Sequence, residues 1–271
     1  AVAALFNEVH TFYTFMDGAQ PNTNPIPCIC VPSTYRTPFV FTNSVPITDS
    51  RSNQIKLMKV QKNLCKLVLY DPNTSLSLSA NQKTTIAIEL IAMAVEAYLS
   101  QKANFFSDMF VEKGLELLTY ALDGSPSLDI TTPEEILFAQ AGTMISLATT
   151  SSSLGLSSML SLTINSRYKM LKSLVSSILL PYMIEDVVKY KSTKIAKLAK
   201  IMKCVQKDEA ETLSEEELCK AFIDSVRERI AKANLPTRLK DLNLTIEQLS
   251  LAVEDVKEID PNGEYLFLHI G

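Results

Sequence analysis

The sequence predicts a mainly α-helical protein in which an all-helical domain, residues 79–271, packs on a partial α/β unit, residues 1–78. Three observations carry this prediction. From Ser79 onward, apolar residues recur at helical spacing between capping signals. Between Ile26 and Leu78 the texture is instead short β-type runs separated by turn residues, too few to build a whole nucleotide-binding domain. Finally, 46% hydrophobic residues in a chain of 271 supply a sizeable core without covalent staples.

Taken in order, Ala1 to Thr14 places Ala1, Leu5, Val9 and Tyr13 on one face, which predicts a single first helix. Residues 17–27 are rich in Pro, Asn and Gly and predict a loop. Strands are expected over Cys28 to Val31, Pro38 to Thr42, Ile55 to Val60 and Lys66 to Tyr70, ended by the turn Asp71-Pro72-Asn73-Thr74. Ser79 with Gln82 forms a capping box for a helix to Leu99. A second helix runs from Phe105 to Leu122 and closes at Asp123-Gly124-Ser125-Pro126. Thr132 caps a third, with Pro133 at its first helical position. After a polar break at Thr149 to Ser153, helices follow at 156–162 and 168–190, the latter bent at Pro181. Ser192 caps 194–205, Ser214 with Glu217 caps a helix to Ala233, and Thr245 with Gln248 caps one to Val256.

Composition excludes several functions. A net charge of -4 and a pI near 5.4, with Lys and Arg spread along the chain, give no field for nucleic acid. No apolar run reaches the roughly 18 residues of a membrane span, and no secretory signal opens the chain. The five cysteines are odd in number and include no C-x-x-C pair, so free thiols in a reducing, cytoplasmic setting are expected. Cys28 and Cys30 share one face of a strand, as small core residues rather than a metal pair. With 7 glycines the chain has little to spend on phosphate-binding loops.

Several stretches in order carry a resemblance. Glu96-Ala-Tyr-Leu-Ser-Gln-Lys-Ala-Asn104 is followed by Ser107-Asp108, and later come Ser173-Leu-Val-Ser-Ser-Ile-Leu-Leu-Pro-Tyr182 and Leu235-Pro-Thr-Arg-Leu-Lys-Asp-Leu-Asn243. Upstream lie Ile47-Thr48-Asp49 and Val68-Leu-Tyr-Asp-Pro72 with Leu76 and Leu78. Together these resemble the iron-containing (group III) alcohol dehydrogenases along the whole chain. The resemblance implies that family's helical domain on a remnant of its nucleotide-binding domain, lacking the N-terminal half. The family's metal ligands are one Asp and three His, the first two four residues apart on a helix. Carried over place by place, they fall on Glu89, Met93, Ser158 and Lys172, and a further family histidine falls on Leu162. The family's Pro-Thr-Thr-Ala-Gly-Thr-Gly-Ser-Glu loop lines up with Pro32 to Val40, putting Thr34, Tyr35, Arg36 and Thr37 at the former nucleotide loop. Tyr35, Arg36, Pro38 and Phe39 there block phosphate approach or remove a donor.

The chain has only two histidines, His10 and His269, both read as surface or packing residues, so no three-histidine site is expected. Lys172 has two readings: its ammonium replaces the metal and pairs with Glu89, or it reaches solvent through the old cleft. Arg36 is expected at the solvated surface. Glu134, Glu135 and Glu215 to Glu217 read as first-turn carboxylates, and Lys189, Lys191, Lys194, Lys197, Lys200 and Lys203 as a solvated face. The function expected is therefore a pseudoenzyme of the family without metal, dinucleotide or other cofactor, serving as a structural or interaction subunit in a homo-oligomer. Another polypeptide, such as its own N-terminal part, is expected to cover residues 1–78. The alternative is an NAD(P)-dependent alcohol dehydrogenase using iron or zinc, or Lys172 as acid or anion clamp, whose N-terminal part supplies the nucleotide site. A small-ligand binder using the old substrate cleft is the third possibility.

Overall fold

The computed structural model describes residues 1–62, 64–124 and 132–260. At its centre is a helix, α3 (Ala80–Leu99), opened by the expected capping box: Ser79 Oγ accepts from Gln82 N–H, and the Gln82 side chain accepts from Ser79 N–H. Every residue from Ile86 to Leu99 is buried, so the helix is covered on all sides rather than on one stripe. Around it pack α4 (Phe105–Asp123), α5 (Glu134–Ser151), α6 (Leu156–Tyr168), α7 (Lys172–Ile201) and α8 (Glu215–Lys232). A last described helix, α9 (Ile246–Ile259), lies on α6 and on the third strand. The Ser214 and Thr245 capping boxes form as predicted.

The N-terminal part holds α1 (Val2–Leu5), α2 (Phe12–Met16) and four short strands, β1 (Cys28–Cys30), β2 (Ser44–Thr48), β3 (Ile55–Lys59) and β4 (Cys65–Val68). β1 pairs with β4 in parallel and β2 with β3 antiparallel, giving two separate ribbons. Ala4, Phe15, Met58 and Val60 form a small core of their own. The join to the helices is apolar where Tyr35, Phe39, Tyr70 and Leu78 enter the main core, and polar beside β2 and β3. Asp255 of α9 accepts from Arg167 Nη2 at 2.6 Å and from Gln54 Nε2 at 2.8 Å, while Ser166 Oγ donates to the Asn53 carbonyl at 2.9 Å. The molecule is thus mainly α, with a small partial sheet. Among the described residues no helix is long and apolar enough to cross a membrane.

Four local predictions need correcting. The expected first helix is two short ones, and Val9 is 91% exposed. Between them Asn7 donates to the Asn24 carbonyl and Glu8 accepts from the N–H groups of Asn22 and Thr23, so these side chains hold the following loop instead of continuing a helical turn. Pro38–Phe41 is a 3-10 turn, not a strand, with proline at its start, where a missing N–H costs nothing. The strand is displaced to Ser44–Thr48, in spite of Pro46. Helix α5 has Pro133, not Thr132, at its cap position, and no side-chain cap bond forms. Helix α7 keeps helical torsions through Pro181 and breaks instead at Lys191 (φ -137°, ψ 37°). That break lets Lys191 and Lys194 donate to the carbonyls of Leu99 and Tyr98, where the C-terminus of α3 favours positive charge.

Candidate functional site

On α3, Glu89, Met93 and Glu96 follow one another at intervals of four and three, so all three project from one face. That face meets the N-terminal end of α6, the start of α7 and the Pro32 to Val40 loop. Glu89, Met93, Ser158, Leu162, Lys172 and Phe39 line one cavity of about 20 Å³. The four positions assigned to the family's metal ligands, and the fifth assigned to its further histidine, are therefore brought together. The space left is roughly that of a single water molecule.

The Glu89 carboxylate is 8% exposed and is held by two cations. Arg36 Nη1 donates to its Oε2, and Lys172 Nζ stands 3.5 Å from its Oε1. Lys172 thus points into the cleft and pairs with Glu89. Arg36 corrects its expected place at the solvated surface: the turn before it, in which Arg36 N–H donates to the Thr34 carbonyl at 2.8 Å, aims the guanidinium inward. A buried carboxylate without partners is costly, and here both oxygens are met by positive charge.

Ser158 takes a different partner. Its N–H donates to Glu96 Oε1 at 2.9 Å and its hydroxyl to Oε2. Helix α6 opens at Gly155 with no side-chain cap of its own, and the Glu96 carboxylate supplies that cap from the neighbouring helix. Full burial pushes the Glu96 carboxyl above its ordinary 4.5, against the lowering effect of the hydrogen bonds from Ser158, Gly155 and Ser157. Glu96 was missed as a site residue, although its position seven residues after Glu89 was a usable signal.

The loop aligned with the family's nucleotide fingerprint is filled. Tyr35 is fully buried at φ 58°, a left-handed conformation that non-glycine residues adopt at a cost. Its hydroxyl donates to Ser75 Oγ at 2.7 Å, and its ring packs 5.9 Å from Phe138 and 6.1 Å from Tyr70. Thr37 N–H donates to Ser146 Oγ at 3.3 Å and its hydroxyl lies 3.1 Å from Tyr70 Oη. Thr34 is half-buried beside it. The amides of Arg36 and Thr37 are thus already engaged, and the Tyr35 ring occupies the interior behind them.

These residues do not fit a divalent iron or zinc. One carboxylate, a thioether and a hydroxyl, two of them committed elsewhere or weak, face an ammonium and a guanidinium where several anionic or imidazole donors are needed. Among the described residues no three His, Cys, Asp or Glu gather where an ion could be held. His10 is exposed beside Phe15, and His269 lies outside the described residues. The lysine row is more engaged than a solvated face: besides Lys191 and Lys194, Lys197 pairs with Glu112, Lys189 with Asp186 at 2.9 Å, and Lys203 covers the Tyr120 ring at 4.5 Å.

The chain is 21% identical over 246 residues to lactaldehyde reductase of Escherichia coli (strain K12), covering 89% of this chain and 63% of that protein. It is 22% identical over 228 residues to 1,3-propanediol dehydrogenase of Citrobacter freundii, covering 84% of this chain and 58% of the relative. The chain therefore spans less than two thirds of the length of these relatives. Its fold matches the crystal structure of a 1,3-propanediol oxidoreductase with a TM-score of 0.81 at 19% identity, over 95% of this chain and 66% of that one. Residues 84–262 match the model of the Fe-containing alcohol dehydrogenase family, C-terminal part. With that match over more than half its length, the chain belongs to the Fe-containing alcohol dehydrogenase family.

Proposed function

We propose that this chain is a member of the family that no longer binds metal or dinucleotide and serves as a structural or interaction subunit. The observation that carries this is the convergence of Arg36 and Lys172 on Glu89. One cation comes from the former nucleotide loop and the other from a former ligand position. A divalent ion entering there meets two positive charges for one negative, and at such short range in a partly buried site that repulsion outweighs what a lone carboxylate returns. The buried Tyr35 ring supports the loss of dinucleotide binding in the same way.

The interaction role is supported by β1 and β4. Ile29, Val31, Leu67 and Leu69 are each about half exposed along one side of this parallel ribbon. Parallel sheets are normally covered on both faces, and two strands alone are barely stable. A further polypeptide, the protein's own N-terminal part or a partner, covers residues 1–78 in the assembled state, and residues 79–271 form the helical domain of a homo-oligomer.

The test is elemental analysis after expression with iron and zinc supplied, together with calorimetric titration with NAD(H) and NADP(H). The expected result is no stoichiometric metal and no saturable heat. One metal per chain, or saturable dinucleotide binding, returns the dehydrogenase alternative to first place.

A further inference from the structure

On the opposite side of β1 from Ile29 lies a cluster of sulfur. Cys28 and Cys30 project to the same side of the strand, with their Sγ atoms 3.9 Å apart, and Cys65 of β4 is the cross-strand partner of Cys28. All three are partly exposed and unbridged, whereas Cys204, in the turn after α7, and Cys219, on α8, lie apart. Residues two apart on a strand have Cα atoms about 6.6 Å from one another, within the range a disulfide can span but at its long end. Bonds closed in that range are readily reduced again, which is the property of a labile disulfide rather than a structural one. We propose that Cys28 and Cys30 form a reversible disulfide by exchange with low-molecular-weight disulfides of the glutathione class.

The exchange balances without any further reactant. The Cys28 thiolate attacks one sulfur of glutathione disulfide, whose S–S bond breaks to release one glutathione thiolate. Cys30 then gives up its proton and attacks, as the thiolate, the Cys28 sulfur of the mixed disulfide; that S–S bond breaks and the second glutathione leaves as a thiolate that takes up the proton. Two protein thiols are oxidised and one glutathione disulfide is reduced to two glutathiones. The order of attack follows from the surroundings of Cys30. Burial and the two neighbouring sulfurs push its thiol up to about 12, so Cys30 is protonated near neutrality and closes the ring second.

The test uses the whole chain, equilibrated with reduced and oxidised glutathione at graded ratios, acid-quenched, alkylated and mapped by mass spectrometry. In excess glutathione disulfide, two of the five cysteines are expected to be protected from alkylation, as a loop inside the peptide that ends at Arg36. Excess reduced glutathione is expected to free them again. Cys28→Ser and Cys30→Ser should each abolish the loop, and Cys65→Ser should leave it. Five alkylated thiols at every ratio, a cross-link to the Cys65 peptide, or a stable glutathione adduct in place of the loop overturns the proposal. If one serine variant fails to fold, the mapping of the unmodified chain still decides.

Discussion

The Glu89 side chain accepts charge from two directions, and the two are not equal. Arg36 touches the carboxylate directly, while Lys172 stands 3.5 Å away. Glu89→Gln leaves two cations facing each other and is expected to cost about 2 kcal/mol, less than a fully buried pair because both cations keep some solvent contact. Lys172→Met keeps the stem packed and the Arg36 bond, and is expected to cost under about 1 kcal/mol. Urea unfolding of both variants checks the ratio, and equal costs would mean that the Lys172 contact accounts for the whole contribution of Glu89. Glu96 gives a pH dependence of known sign. Because its carboxyl is raised in the folded protein, its contribution is present below the ordinary 4.5 and is lost as pH rises through the elevated value. Glu96→Gln is expected to flatten that part of the stability-against-pH curve, measured by urea unfolding across the range. The resemblance pointed to Glu89, Met93, Ser158 and Lys172, and these four positions line one cavity. The partner of Arg36 was not legible, since 53 residues separate it from Glu89 and nothing local encodes the contact.

Among elements, the packing of α5 against the Tyr35 turn and against α4 rests on two glycines of unequal tolerance. A Cβ on Gly142 meets Tyr35 Cβ and the Tyr35 carbonyl at 2.6 Å, and backbone cannot give way. On Gly114 the nearest atom is Ile145 Cγ1 at 2.8 Å, in a side chain that can move. Gly142→Ala is therefore expected to cost about 2–3 kcal/mol, near the upper range for overpacking, and Gly114→Ala distinctly less. Paired thermal melts test the order. Helices were read well where their signal is local: Ser79, Ser214 and Thr245 carry both members of a capping box within four residues. Prolines were read badly, because Pro38, Pro46 and Pro181 each remove a donor whose importance depends on what lies opposite it in space. The break at Lys191 was foreseen only as a boundary near Ser192, for the carbonyls it caps belong to α3.

At the level of the whole molecule, Asp255 ties the β2–β3 ribbon to the helices, binding Arg167 and Gln54 at once. Asp255→Ala is expected to raise amide exchange across β2 and β3 while α3 stays protected, as measured by hydrogen–deuterium exchange with mass spectrometry. The Arg36 contact has a further consequence, for the routes by which such a chain can change. Returning position 36 to the family's glycine takes the guanidinium off Glu89 and leaves its buried carboxylate with the more distant Lys172 alone. Returning position 172 to histidine first removes the second cation while Arg36 still occupies the centre. Either single step passes through a less stable intermediate without regaining a ligand set, because the positions are coupled through one carboxylate. On the reading proposed above, recovery of either site takes several simultaneous replacements, because both positions act on the one Glu89 carboxylate.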